Sequence, residues 1–261
     1  MSADDYAEYM ERLKNHQNHN IQSLYGKYGD EISDIKRSQK GYYSPSGNNI
    51  VFSYPNESYI KNGLNKYSTL AHEYGHFFDA KVPFSGMNFK EIDTIQDNLE
   101  YMKSHFKRCA SSSDEFLAAV RKDKQWLRDN LTDEMKKELR AHDASSGVQD
   151  AIDGLLGQRI CWGHGDKYYN RTYNACKPIK LAGLKNTVNE QKNLQAAYKK
   201  LGFDASNQGK VGRICRDYES ASEMWANLMA AEVNGGEALE YVKKYLPNSY
   251  QALLDILKGV Q

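Results

Sequence analysis

The run Leu70-Ala71-His72-Glu73-Tyr74-Gly75-His76-Phe77-Phe78-Asp79 constrains this chain more than any other stretch, because it sets two histidines four residues apart around a glutamate. On a helix, residues at that spacing stand one turn above each other, so His72 and His76 share a face. Two imidazoles so placed can both reach one Zn²⁺ at about 2.0–2.1 Å. Glu73, one step round the helix, could then take the proton of a metal-activated water and pass it to a leaving amine. Asp79 stays close to the same face and is expected to accept an imidazole N–H, fixing a tautomer. The flanks read as helix: Ser68 and Thr69 are candidate N-caps, and Tyr67, Leu70, Ala71, Tyr74, Phe77 and Phe78 supply apolar surface. Gly75 in mid-helix costs about 1 kcal/mol relative to Ala, a cost that a closely crossing element would explain. The plainer alternative is an amphipathic core helix whose histidines are only hydrogen-bonded.

A third ligand must come from elsewhere. In the run from Asp217 to Glu232, Met224, Trp225, Leu228 and Met229 form a helical apolar stripe, while Glu219, Glu223 and Asn227 recur four apart on another face. A carboxylate there would complete a His₂Glu set and leave a fourth position open for water. Two assignments are open on these residues alone. Either Glu223 ligates with Asn227 behind it, or Glu219 ligates with Glu223 behind it. A second unusual stretch runs from Arg159 to Tyr169, where His164 lies between two glycines with Trp162 close by. Such a loop could present His164, Tyr168 or Tyr169 to an oxyanion, and a structural turn with stacked aromatics fits it equally. Cys161 and His164 as a metal pair are a weak signal.

Composition narrows the classes. Apolar residues at 40% and charged residues at 26% are those of a soluble globular protein, and 261 residues allow an ample core. A net charge of +1 gives no reason to expect nucleic acid or a membrane surface as partner. No apolar run is long enough to span a membrane. The acidic, then polar, N-terminus is not a signal peptide, and Met1 with the lack of linker composition suggests a free-standing unit. The four cysteines form no CxxC pair, so free buried thiols are expected.

Helices are expected over 4–22 and 32–38. A turn at Ser44-Pro45-Ser46-Gly47-Asn48-Asn49 and a strand over 50–54, stopped by Pro55, then predict a hairpin just before the metal helix. A strand in that position can pair with an extended substrate or simply belong to a small sheet. Further helices are expected over 89–107, 114–142, 148–157, 186–202, 236–246 and 248–258, with Ser111-Ser112-Ser113-Asp114 as a cap.

On these residues the chain resembles gluzincin metallopeptidases that carry H-E-[FY]-G-H-x-x-D, a pattern also found in the catalytic domain of anthrax lethal factor. His72, Glu73, Tyr74, Gly75, His76 and Asp79 match it. It is more closely similar to the metallopeptidase-like domains of phage and prophage minor capsid, or head-morphogenesis, proteins. Three further patches carry that likeness: a Tyr-x-Pro-Ser turn and strand at 43–54, Gly163-His164 to Tyr168, and Glu223-Met224-Trp225-Ala226-Asn227. The resemblance covers most of residues 40–258. It implies an α+β, mainly α-helical, zincin-like fold with a small sheet or hairpin before the metal helix. With the helices above, the chain is expected to hold an N-terminal helical segment over 1–40 and a metallopeptidase domain over 41–261, in which 81–216 is a largely helical insertion holding the Gly-His loop.

For function, the resemblance implies a Zn²⁺-dependent endopeptidase acting on protein or peptide. His72, His76 and Glu223 would be its ligands, Glu73 its general base and acid, and Asp79 and Asn227 would orient ligands. Tyr218, His164 or Tyr168 would face the oxyanion. Lethal factor has an acidic residue in place of Asn227, and its tyrosine offset differs from that of Tyr218. The setting implied is phage-associated, cytoplasmic or in the virion, with virion proteins as partners. The rival classes are a structural or assembly module stapled by its metal, and a toxin-like effector. Glu73, which a purely structural site does not need, favours catalysis.

Overall fold

A computed structural model describes residues 1–39, 41–44, 47–82, 87, 109–142, 148–156 and 208–259 of the chain. For 149–150, 153–154 and 208–219 it describes the backbone alone. The described residues are mostly helical, with one small three-stranded sheet, as an α+β and mainly α architecture requires.

Two helices open the chain, α1 (Ala3–Lys14) and α2 (His19–Tyr28), each started by a side-chain cap. Ser2 accepts from the Asp5 amide, and Asn18 accepts from the Asn20 amide. The sheet follows: β1 (Asp34–Arg37), β2 (Tyr42–Ser44) and β3 (Asn49–Phe52). Its order is β1-β3-β2, with β1 parallel and β2 antiparallel to the central β3. The predicted hairpin is therefore β2–β3, turned at Asn48, whose φ of 46° is left-handed. Residues 34–37 contradict the helix read over 32–38. Ile32 and Ile35 stand at helical spacing, but Ile35 pairs across the sheet with the buried Ile50 while its neighbours face solvent. Pairing with β3 overrides local preference here. Residues 1–40 thus contribute a strand to the same sheet that holds the hairpin.

The sheet packs on α4 (Ser68–Lys81), reached through the short α3 (Glu57–Lys61). After a 3₁₀ turn at Ala110–Ser112 come α5 (Asp114–Asn130), α6 (Asp133–Ala141) and α7 (Val148–Leu156). Ser113 caps α5, within the Ser-rich cap read from sequence. The single helix expected over 114–142 is two, because Thr132 starts a new one by accepting from the Met135 amide. The chain closes with α8 (Gln208–Asn234), α9 (Gly236–Tyr245) and α10 (Pro247–Lys258). Gly235 and Gly236, both at positive φ, make the sharp exit from α8 that a side chain would resist. The helices expected over 89–107 and 186–202 lie outside the described residues.

α4 and α8 form the centre. Tyr74, Phe77 and Phe78 from α4, and Met224, Trp225, Leu228 and Met229 from α8, are fully buried in one core. Tyr9 and Tyr25 from the N-terminal helices join it, Tyr25 edge-on to Phe78 at 4.6 Å. Glu232 of α8 draws both ends of the chain together. Its carboxylate accepts from the Asn18 side chain at 2.8 Å and from the Tyr250 hydroxyl at 2.5 Å, and His16 Nε2 meets its carbonyl oxygen. No helix among the described residues is long and apolar enough to cross a membrane.

Candidate metal centre

α4 forms where the sequence predicts it, beginning at Ser68, and it buries one broad aromatic face. Gly75 shows why that helix tolerates a glycine. A Cβ there would lie 2.7 Å from Ala226 Cα and 3.1 Å from its carbonyl oxygen, so α8 crosses α4 backbone against side-chain-free backbone. That close approach sets Glu223, one turn before Ala226, over the two histidines.

The ligating atoms of His72, His76 and Glu223 all lie within 4.8 Å of one another. His72 Nε2 is 3.4 Å from Glu223 Oε2, and His76 Nε2 is 3.7 Å from Glu223 Oε1. The two imidazoles meet edge to face, with centroids 4.8 Å apart. Donors bonded to one tetrahedral zinc at about 2.0–2.1 Å stand roughly 3.4 Å apart. The donor set, two imidazole nitrogens and a carboxylate oxygen, therefore fits zinc with only small side-chain shifts.

Electrostatics agree with an anion clasped by two rings. Burial opposes charge on His76, but the Glu223 carboxylate outweighs it, helped by Glu73 and Asp79, and the ring is pushed up to about 9. Burial likewise opposes ionisation of Glu223, yet His76 and His72 hold it well below the usual carboxylate range. Glu73 differs from both. It is 2% exposed, and its Oε2 has no hydrogen-bond partner among the described residues. Its Oε1 lies beneath Gly41, where a Cβ would come within 2.9 Å of it. A buried carboxylate oxygen with nothing to accept from is costly, and such atoms call for a chemical explanation.

Asp79 and Asn227, the residues expected to orient ligands, make the following contacts. Asp79 accepts from the Ser111 amide at 2.7 Å and the Ser111 hydroxyl at 2.6 Å, and its link to His76 runs through Ser222. Burial lifts its carboxyl to about 6, although Ser111, His76 and Ser222 pull the other way. Asn227 donates to the main-chain carbonyl of Glu223 at 2.8 Å, one turn back on its own helix, and so steadies the backbone rather than the carboxylate. Glu219 and Tyr218 lie on α8, but their side chains are outside the described residues, as are all of Cys161, His164, Tyr168 and Tyr169. Sequence reasoning missed Ser111 and Ser222. Ser111 sits in a stretch that reads as a helix cap, and Ser222 carries no signal beyond standing next to Glu223.

No family model, curated protein or solved structure matches the chain.

Proposed function

We propose that the chain is a zinc-dependent endopeptidase of gluzincin type. The observation that carries this reading is the convergence of His72, His76 and Glu223 donors within 4.8 Å, beside a buried glutamate oxygen that has no partner among the described residues. His72, His76 and Glu223 would hold the ion. When bound, zinc supplies Lewis acidity, lowering the pKa of a water and polarising a carbonyl. Glu73 receives the proton at its carboxylate and returns it to the leaving amine. Among the described strands β2 lies at a sheet edge and packs on α4, a position from which a strand could meet an extended substrate. The patches shared with phage minor capsid metallopeptidase-like domains support a phage-associated setting with protein substrates.

The test combines elemental analysis with peptidase assays. About one zinc per chain is expected in wild type, lost in Glu223→Ala and kept in Glu219→Ala. Glu73→Gln should keep its zinc and lose about 10²–10⁴-fold in rate. Full activity in Glu73→Gln, in a preparation free of contaminating protease, sinks the reading.

A second reading follows from the ligands lying on two different helices, so that a metal would tie α4 to α8 as a structural staple. On that view chelation lowers the melting temperature and Glu73→Gln is silent.

A further inference from the structure

Ser222 stands between Asp79 and His76 and has no place in the ligand and base assignments above. Its Oγ lies 3.3 Å from Asp79 Oδ2 and 3.4 Å from His76 Nδ1. Asp79 is 2% exposed, and its carboxylate, when ionised, can only accept. Each of its neighbours must then donate: the Ser111 amide, the Ser111 hydroxyl and the Ser222 hydroxyl. The single proton of Ser222 is thereby committed to Asp79, which leaves its oxygen as an acceptor towards His76. An acceptor at Nδ1 draws the ring's proton there, against the pull of Glu223 Oε1, which stands farther off at 3.7 Å from Nε2, and the lone pair is then left on Nε2. Nε2 is the atom that faces Glu223.

From this chain of donors we infer that Ser222 is a positioning residue for the metal centre: through Asp79 it holds His76 as the Nδ1–H tautomer with Nε2 free to bind. The inference rests on the zinc reading above. It gives α8 two roles from consecutive residues, since Glu223 supplies a ligand while Ser222 orients a ligand on the other helix. Ser111 anchors the arrangement from a third element, the 3₁₀ turn before α5.

The experiment compares wild type, Ser222→Ala and Ser222→Thr by two readouts. The first is the His76 tautomer in the metal-free protein at alkaline pH, where the ring is neutral, read from long-range ¹H–¹⁵N spectra. The second is zinc affinity by chelator competition. Wild type should be Nδ1–H. Ser222→Ala should gain Nε2–H and bind zinc about 10–100-fold more weakly, and Ser222→Thr, which keeps the hydroxyl, should recover both. If Ser222→Ala does not fold, Ser222→Cys offers a similar volume with a weaker hydrogen-bonding group. An unchanged tautomer, or an unchanged zinc affinity where wild type binds zinc, overturns the inference. If wild type binds no zinc the peptidase reading falls, while the tautomer comparison still decides the role of Ser222.

Discussion

Two helix junctions in this molecule bury carboxylates, and they treat them in opposite ways. Where α5 meets the start of α10, Asp123 is 1% exposed and accepts four hydrogen bonds. Asn248 and Ser249 each give it one from the amide and one from the side chain, at 2.6–3.1 Å. Where α4 crosses α8, Glu73 is as deeply buried but keeps one oxygen without a partner among the described residues. The first junction spends its carboxylate on saturating a helix N-terminus. The second holds a carboxylate in reserve. Depth of burial alone does not distinguish these two acids; the count of donors among the described residues does.

The contrast can be broken by substitution. Asp123→Ala would strand the amide and side-chain donors of the half-buried Asn248 and the buried Ser249, and should cost about 3 kcal/mol in denaturant unfolding while leaving zinc content unchanged. A loss below about 1 kcal/mol would show that the four bonds at α10 are not holding that junction.

Acidity probes the other side. In the metal-free protein Glu223 keeps a proton on His76 up to about pH 9. Zinc must displace that proton, so affinity falls as pH falls, by about tenfold per unit below that value. Between pH 8 and pH 6 the zinc dissociation constant should therefore rise about 100-fold from this group alone. A flat profile would mean that His76 is not a ligand.

The smallest expected effect has the opposite sign. Glu73→Gln replaces a buried carboxylate whose Oε2 has no hydrogen-bond partner among the described residues, and should stabilise the metal-free fold by about 1 kcal/mol. Destabilisation by that amount would place Glu73 with Asp123, as a structural acid.

The helix that carries His72 and His76, and the Glu223 helix, were legible in the sequence because helical period and residue spacing are local properties. Gly75 was legible for the same reason, since a glycine in such a helix calls for a close neighbour, and Ala226 is that neighbour. Asp123 was not, because its donors Asn248 and Ser249 lie at a sequence distance of 125 and 126, and nothing local marks such a partner. The strand at 34–37 was misread on the same grounds: four residues, three of them exposed, are fixed by β3 and not by their own pattern. Ser222 and Ser111 act by filling acceptor sites on Asp79, and a serine's proton is invisible until its neighbours in space are known.

Glu232 has a consequence for the order in which this chain can be completed. Its carboxylate and carbonyl hold Asn18 and His16 at sequence distances of 214 and 216, and Tyr250 at 18. Synthesis makes α1 and α2 before α8, and their hydrogen-bonding partner follows at a sequence distance of 214 and 216. Closing so large a loop early is entropically disfavoured, and contacts of this range form slowly. Tyr9 and Tyr25 can pack on Tyr67, Tyr74 and Phe78 once α4 exists, but the bonds from His16 and Asn18 to Glu232 wait until α8 has been made.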